Sequence, residues 1–312
     1  MNSALLRLLA IIFGLLALFT IVGFILRLTM KGEGRRAVVA NMNARIAAWW
    51  IMAGIIAGAL LGGFAATVIL FAVISLLALR EFITLTPTHR GDHRALFWIF
   101  FVVTPIQYLL IWRDWYGMFA ILIPVYAFLF LPLRIAAAGD TTRFLERTAK
   151  IQWGLMVCVY CLSYAPALLI LHIRGYGGRE PALLLFLLVV AQLSDVFQYV
   201  WGKVLGKHKL APHVSPNKTV EGLVGGGLTA AAIGTSLYWA TPFAPWQAAL
   251  LSLLIVSMGF AGGLVMSAIK RDRGVKDYGS VIIGHGGVMD RIDSLCFAAP
   301  IFFHTVRWFW TQ

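Results

Sequence analysis

Charged residues are scarce in this chain of 312 residues: they make up 12% of it, and only 13 side chains are acidic. A soluble domain usually carries roughly a quarter of its residues as charged side chains. Here 60% of the residues are hydrophobic, and long apolar runs recur from end to end. The composition excludes an ordinary soluble domain and predicts an all-α, polytopic membrane protein.

Cysteine is also rare, with only Cys158, Cys161 and Cys296. Cys158 and Cys161 have C-x-x-C spacing, but they lie within an apolar run and no further ligands are near them in the sequence. A redox or zinc site is therefore disfavoured, and we interpret the pair as two small side chains on one helix face. Internal repeats and low-complexity segments are absent too, which predicts a single integral membrane domain over residues 1–312.

Ten apolar runs are candidate membrane spans. In chain order they are residues 4–26, two spans within 46–79, then 95–112, 116–133, 151–173, 181–205, 223–239, 246–269 and 295–310. The first run is too long for the core of a signal peptide and is interpreted as a retained helix. Residues 46–79 are interrupted by Gly58, Gly62 and Gly63, which favours two short helices; one long tilted helix is the alternative.

The basic residues indicate the orientation of these spans. A net charge of +13 alone would suggest nucleic acid, but the 26 Lys and Arg residues lie mostly in short loops between apolar runs. One set of alternate loops holds 21 of the 26 and the opposite set holds 5. The positive-inside rule places the larger set in the cytoplasm and both termini outside. The predicted partner is thus the bilayer, in a bacterial inner membrane, and not nucleic acid.

Most of the chemistry-bearing residues fall in one stretch, SAIKRDRGVKDYGSVIIGHGGVMDRID, which is residues 267–293. It combines cations, carboxylates and glycines, and this combination suits a polyphosphate with a divalent metal. Asp290 and Asp293 are three residues apart, so on a helix they share a face and form a candidate metal seat. The alternative for Asp290 is an N-cap of the last helix.

A second group of polar residues follows the seventh span. Asp195 comes after about a dozen apolar residues, where a carboxylate is costly unless it is paired or binds a metal. The loop after it contains SPNKTVEG, in which Ser215 and Thr219 offer hydroxyls and Lys218 a point charge to phosphate. An ordinary ion pair for Asp195 and a plain cytoplasmic turn for the loop are the alternatives.

Both segments closely resemble the signatures of the phosphatidate cytidylyltransferase (CDP-diacylglycerol synthase) family. The matching residues of the main signature are Ser267, Lys270, Arg271, Lys276, Asp277, Gly279, His285, Gly286, Gly287, Val288, Asp290, Arg291 and Asp293. The earlier match comprises Asp195, Gly202, Lys203, Gly206, Ser215, Pro216, Lys218, Thr219, Glu221 and Gly222. Two departures are Ile283, where the family usually has Pro, and Gln198 before Tyr199, where it often has Ala. The resemblance is strong from residue 195 to 293 and only architectural elsewhere.

The resemblance implies that CTP and phosphatidate give CDP-diacylglycerol and pyrophosphate at a cytoplasm-facing site carried by residues 181–312, with residues 1–180 as supporting helices. The catalytic residues it implies are Lys276, Asp277 and His285. The substrate-binding residues are Ser215, Lys218, Thr219, Glu221, Lys270, Arg271, Gly286, Gly287 and Arg291. The ligands of a Mg²⁺ cofactor are Asp195, Asp277, Asp290 and Asp293. The partners are CTP, phosphatidate and the bilayer, and a homodimer is the oligomer considered.

Two other functions remain open at this point. A CTP-dependent lipid kinase of the polyprenol or phytol type would transfer the γ-phosphoryl group to a neutral alcohol and would need a general base. A transporter or non-catalytic scaffold is the alternative from another class. Against the transporter, the charged groups lie at the ends of the predicted spans and not in their middle.

Overall fold

The computed structural model describes residues 3–29, 33–279 and 286–311, and this part of the chain is almost entirely helical. Its long helices are α1 Ser3–Thr29, α2 Glu33–Leu61, α3 Gly63–Thr84, α4 Arg90–Trp112, α5 Tyr116–Ala136, α6 Phe144–Ile170, α7 Glu180–Val204, α8 Val220–Ser236, α9 Pro245–Asp272 and α10 Met289–Trp310. A short antiparallel hairpin of β1 Lys209–Ala211 and β2 Ser215–Thr219 lies between α7 and α8. The prediction of an all-α, polytopic membrane protein is confirmed.

Eight of the described helices are long and apolar enough to cross a membrane: α1 to α7 and α9. The two remaining predicted spans correspond to α8, which has 17 residues, and α10, whose 22 residues include Asp290, Arg291, Asp293 and Arg307. The long run 46–79 is divided between α2 and α3, with the break at Gly62 and Gly63. Gly63 has φ of +87°, which other residues rarely adopt, so the chain changes direction there. The single tilted helix is excluded.

A buried ion cluster joins α4, α6 and the loop between α5 and α6. The Arg147 guanidinium is 3% exposed and donates to Asp92, which is fully buried, and to Asp140. The Nη2–Oδ1 distance to Asp92 is 2.9 Å, and Nη1 lies 2.9 Å from Asp140 Oδ2. Because these carboxylates satisfy the Arg147 guanidinium, Arg147 can form part of α6. The helix therefore begins at Phe144, several residues before the apolar run that predicted it.

We expect Arg147→Ala to destabilise the protein by about 3–5 kcal/mol, because it leaves the Asp92 carboxylate buried without its cation. The measurement is the thermal unfolding midpoint in detergent. Arg143→Ala is the matched control, since its side chain is 74% exposed and lies 3.8 Å from Glu146. An Arg147 variant as stable as the Arg143 variant would contradict this account.

Close packing of α9 against α10 brings the polar residues of the C-terminal half together. A Cβ at Gly262 in α9 would lie only 2.5 Å from the Asp293 carbonyl oxygen, so α10 approaches the α9 backbone directly. On the other side, the Gln192 amide of α7 donates to the Arg291 carbonyl at 3.0 Å. Gln192 and Asp195 are three residues apart on α7, so they share a face and Asp195 is turned toward α10.

Candidate active site

The β hairpin directs one lysine into the helical bundle. Lys209 pairs with Thr219 and Ala211 with Ser215, and the strand then ends where Thr219 caps α8 by accepting from the Gly222 N–H at 3.0 Å. The residue before this cap, Lys218, is half-buried against α9, with its Nζ 4.5 Å from the centre of the Phe260 ring and 3.4 Å from the Phe260 carbonyl oxygen. The hairpin therefore holds an ammonium group against α9 at Gly263, where an added Cβ would lie 3.0 Å from Lys218 Nζ and 3.9 Å from Asp293 Oδ2.

Lys218 lies near two carboxylates that repel one another. Asp195 on α7 and Asp293 on α10 are close enough to interact as like charges, and both attract the Lys218 ammonium. Burial lowers the pKa of Lys218 from its usual value, whereas Asp195 and Asp293 act to raise it. The Arg291 guanidinium also interacts with Asp195. This grouping joins residues from both segments that the sequence singled out.

Asp290 has a different role from Asp293 in this structure. Its Oδ1 lies 2.7 Å from Lys270 Nζ, and both side chains are largely buried. Its Oδ2 accepts from the backbone N–H groups of Tyr278 and Gly287 at 2.8 and 3.0 Å. α10 begins at Met289 and its N-cap residue is Val288. Asp290 is therefore not the N-cap, which was the alternative role considered from the sequence. Its carboxylate connects α9, the loop after α9 and the start of α10.

Several predicted substrate contacts make structural bonds in the described residues. The Thr219 hydroxyl caps α8, and Glu221 accepts from the backbone N–H groups of Lys207 and His208. Arg271 donates to the carbonyl oxygens of Val214 and Val275. These contacts fix the shape of the two loops, and whether the same residues also bind substrate stays a prediction.

The remaining predicted residues lie around this cluster. Ser215 is partly buried at the start of β2, while Lys276 and Asp277 are exposed in the segment after α9. Asp277 lies beside Gly286, which has φ of +82° and therefore needs glycine. The Gly287 N–H, expected to face phosphate, donates to Asp290. His285 falls outside the described residues, so its predicted role stays a prediction.

One buried carboxylate in this region was missed from the sequence. Glu81, near the end of α3, is 7% exposed and accepts from the N–H groups of Val288 and Met289. The available signal was a lone acid inside an apolar run, since such residues are costly in a membrane protein unless they are bonded. It was overlooked because it lies outside both matched segments.

The donor set can be tested against the expected magnesium ion. Within residues 3–29, 33–279 and 286–311, no three His, Cys, Asp or Glu side chains are grouped so that together they could hold a metal. Mg²⁺, however, is usually bound by one or two carboxylates together with substrate phosphates. Asp195 and Asp293 form such a pair, and a cation between them would relieve their repulsion. The residues present fit a magnesium site completed by substrate oxygens.

Comparison with known proteins places these observations in a family context. A model of the cytidylyltransferase family matches residues 43–309. The chain is 41% identical to Uncharacterized protein YnbB of Escherichia coli (strain K12) over 305 residues, which is 96% of this chain and 97% of that protein. It is 36% identical to a phosphatidate cytidylyltransferase of Staphylococcus saprophyticus over 157 residues, and 34% identical to one of Staphylococcus aureus (strain COL) over the same length. Each of these two matches covers 49% of this chain and 60% of the relative.

Proposed function

The chain belongs to the cytidylyltransferase family, and from this we propose that it makes CDP-diacylglycerol and pyrophosphate from CTP and phosphatidate. A CTP-dependent membrane transferase is what the family and the helical fold support directly. The observation that carries the finer proposal is the grouping of Lys218 with Asp195 and Asp293, because it unites both signature segments at one place. The active site is the region around this group.

The proposed reaction needs positioning and charge neutralisation more than a covalent intermediate. A phosphatidate oxygen attacks the α-phosphorus of CTP, a new P–O bond forms, and the bond to the pyrophosphate leaving group breaks. Lys218 and Lys270 would neutralise phosphate oxygens as the two anionic substrates approach. The lipid phosphate is already ionised near neutral pH, so no strong base is required.

Asp195 and Asp293 are the residues that would hold a Mg²⁺ ion, and Asp277 and Asp290 are less suited to it. Asp290 is paired with Lys270 and bonded to two backbone N–H groups, while Asp277 is exposed. When bound, the ion would supply charge neutralisation of triphosphate oxygens. The two carboxylates would place that charge near Lys218.

The test uses purified protein with phosphatidate, Mg²⁺ and CTP that carries ³²P at either the α or the γ position. The proposed reaction moves the α label into lipid and releases the γ label as pyrophosphate. Transfer of the γ label to an added isoprenoid alcohol would instead identify a lipid kinase and overturn the proposal. Absence of lipid label in every combination would indicate the transporter or scaffold alternative.

We also propose that the site faces the cytoplasm, because 21 of the 26 basic residues lie in the loops on its side of the predicted spans. In the structure His172 is exposed in the loop after α6 and His213 in the loop after α7, and these two loops are expected to lie on opposite sides of the membrane. In a variant without native cysteines, we expect His172→Cys to react with an impermeant maleimide in spheroplasts. His213→Cys should react only after permeabilisation, and the reverse pattern would overturn this orientation.

A further inference from the structure

A carboxylate from the N-terminal half of the protein holds the start of α10. Glu81 Oε1 accepts from the Val288 N–H at 2.9 Å, and Oε2 accepts from the Met289 N–H at 2.8 Å. The first N–H groups of a helix have no partner within the helix and carry a partial positive charge. A buried carboxylate therefore satisfies both the hydrogen bonds and the charge at this helix end. Glu81 lies 207 positions before Val288 in the chain.

The chain on both sides of residues 280–285 packs against the same carboxylate. A Cβ added at Gly279 would lie 2.8 Å from Glu81 Oε1, and one added at Gly287 would overlap Glu81 Oε2. We refer to Glu81, Gly279, Gly287, Val288 and Met289 as the Glu81 clamp. Because Gly279 and Gly287 have no side chains, the backbone at both positions can pack directly against the Glu81 carboxylate.

The clamp continues into the candidate active site through consecutive N–H groups. The Gly287 N–H donates to Asp290, while the next two N–H groups donate to Glu81. Asp290 in turn contacts Lys270 and the Tyr278 N–H. The residue after Glu81, Phe82, stacks on the Tyr278 ring with centroids 6.4 Å apart. The end of α3 therefore supports the loop after α9 at one side and the first turn of α10 at the other.

We propose that Glu81 is a positioning residue of the active site, which fixes the first turn of α10 so that Asp290 and Asp293 face Lys270 and Lys218. It touches no reacting atom; its effect passes through the backbone of residues 287–289. The inference rests on the proposed cytidylyl transfer, because the benefit of a fixed first turn is a correct geometry for that reaction. Small displacements of this kind cost roughly 100-fold in rate.

The first experiment is Glu81→Gln, which keeps the size of the side chain but leaves only one oxygen to accept from two N–H groups. We expect kcat to fall about 100-fold, with KM for CTP and phosphatidate nearly unchanged and the protein still folded in detergent. Glu81→Asp retains two acceptors on a shorter side chain and should restore part of kcat. Glu146→Gln is the matched control, because Glu146 is a half-exposed carboxylate that pairs with Lys150.

The second experiment measures thermal coupling between Glu81 and Gly279, which does not depend on any activity. Gly279→Ala should lower the unfolding midpoint in the wild-type background, because its Cβ meets the Glu81 carboxylate. In the Glu81→Ala background the same substitution should cost much less, since the carboxylate is gone. Additive losses would overturn the clamp, and a folded Glu81→Gln variant with wild-type kcat would overturn the positioning role. A wild-type protein without cytidylyl transfer would overturn the proposed reaction, whereas the thermal coupling would still report the clamp.

Discussion

Replacing Asp195 with Asn is expected to lower cytidylyl transfer by about 100-fold or more without destabilising the protein. The Asp195 carboxylate is partly buried and is repelled by Asp293, and the attraction of Lys218 and Arg291 offsets this cost only in part. Asn has nearly the same shape and removes that charge. The unfolding midpoint in the absence of Mg²⁺ should therefore stay the same or rise, a pattern typical of residues kept for activity.

The direct readout of a metal role is the effect of Mg²⁺ on stability. An ion that binds the folded state raises the unfolding midpoint as its concentration rises. We expect this increase for the wild-type protein with a CTP analogue, and a much smaller one for Asp195→Asn and Asp293→Asn. Asp272→Asn is the control, because Asp272 is 67% exposed and paired with Arg273. Unchanged activity and Mg²⁺ response in both site variants would contradict the assignment of the ion to this pair.

Asp290 should respond differently from Asp293 although both lie in the first turns of α10. An Asn at 290 keeps one acceptor oxygen but replaces the other with an NH₂ group, which cannot accept from Tyr278 or Gly287. The Asp290→Asn substitution should therefore disturb the loop structure as well as the charge, since the bond to Lys270 and the bonds to the loop depend on both oxygens. The sequence could place the two residues on one face of a helix. It could not show that Asp290 is bonded to Lys270 and to two loop N–H groups, whereas Asp293 accepts from the N–H of its neighbour Ser294.

The fold was largely predictable because long apolar runs can satisfy their backbone only as helices in a bilayer. The less predictable boundaries are those where polar residues belong to a helix. The sixth predicted span began at residue 151, whereas α6 begins at Phe144 and contains the buried Arg147. The last span was predicted from residue 295, whereas α10 begins at Met289. In both cases charged residues join the helix because tertiary partners satisfy them.

The candidate site was also predictable only in part. The sequence identified Lys218, Asp195 and Asp293, and the structure brings the charges of these three residues together. Thr219 was predicted to offer its hydroxyl to phosphate, and the structure shows that this hydroxyl caps α8. A Thr just before an apolar run is a recognisable capping signal. The lone acid at Glu81 indicated a bonded carboxylate, but its partners lie more than 200 positions away and no local pattern identifies them.

Replacing Lys218 with Met is expected to lower cytidylyl transfer by roughly 100-fold, because the variant keeps the apolar stem against Phe260 but removes the ammonium group. That group lies near Asp195 and Asp293, where we expect it to meet the phosphate oxygens of both substrates. Without it, two carboxylates remain beside the incoming anions and repel them. We therefore expect KM for CTP to rise as well as kcat to fall.

Two comparisons separate this role from a structural one. Lys209→Met changes an exposed lysine on the neighbouring strand of the same hairpin and should leave both kinetic constants near their wild-type values. Lys218→Arg keeps the charge, but its planar group is larger than an ammonium in a partly buried site, so it should restore only part of the activity. A Lys218→Met protein that unfolds at the wild-type temperature and turns over CTP at the wild-type rate would show that the ammonium only balances Asp195 and Asp293. The phosphate contacts would then have to come from Lys270, whose Nζ is 2.7 Å from Asp290 Oδ1.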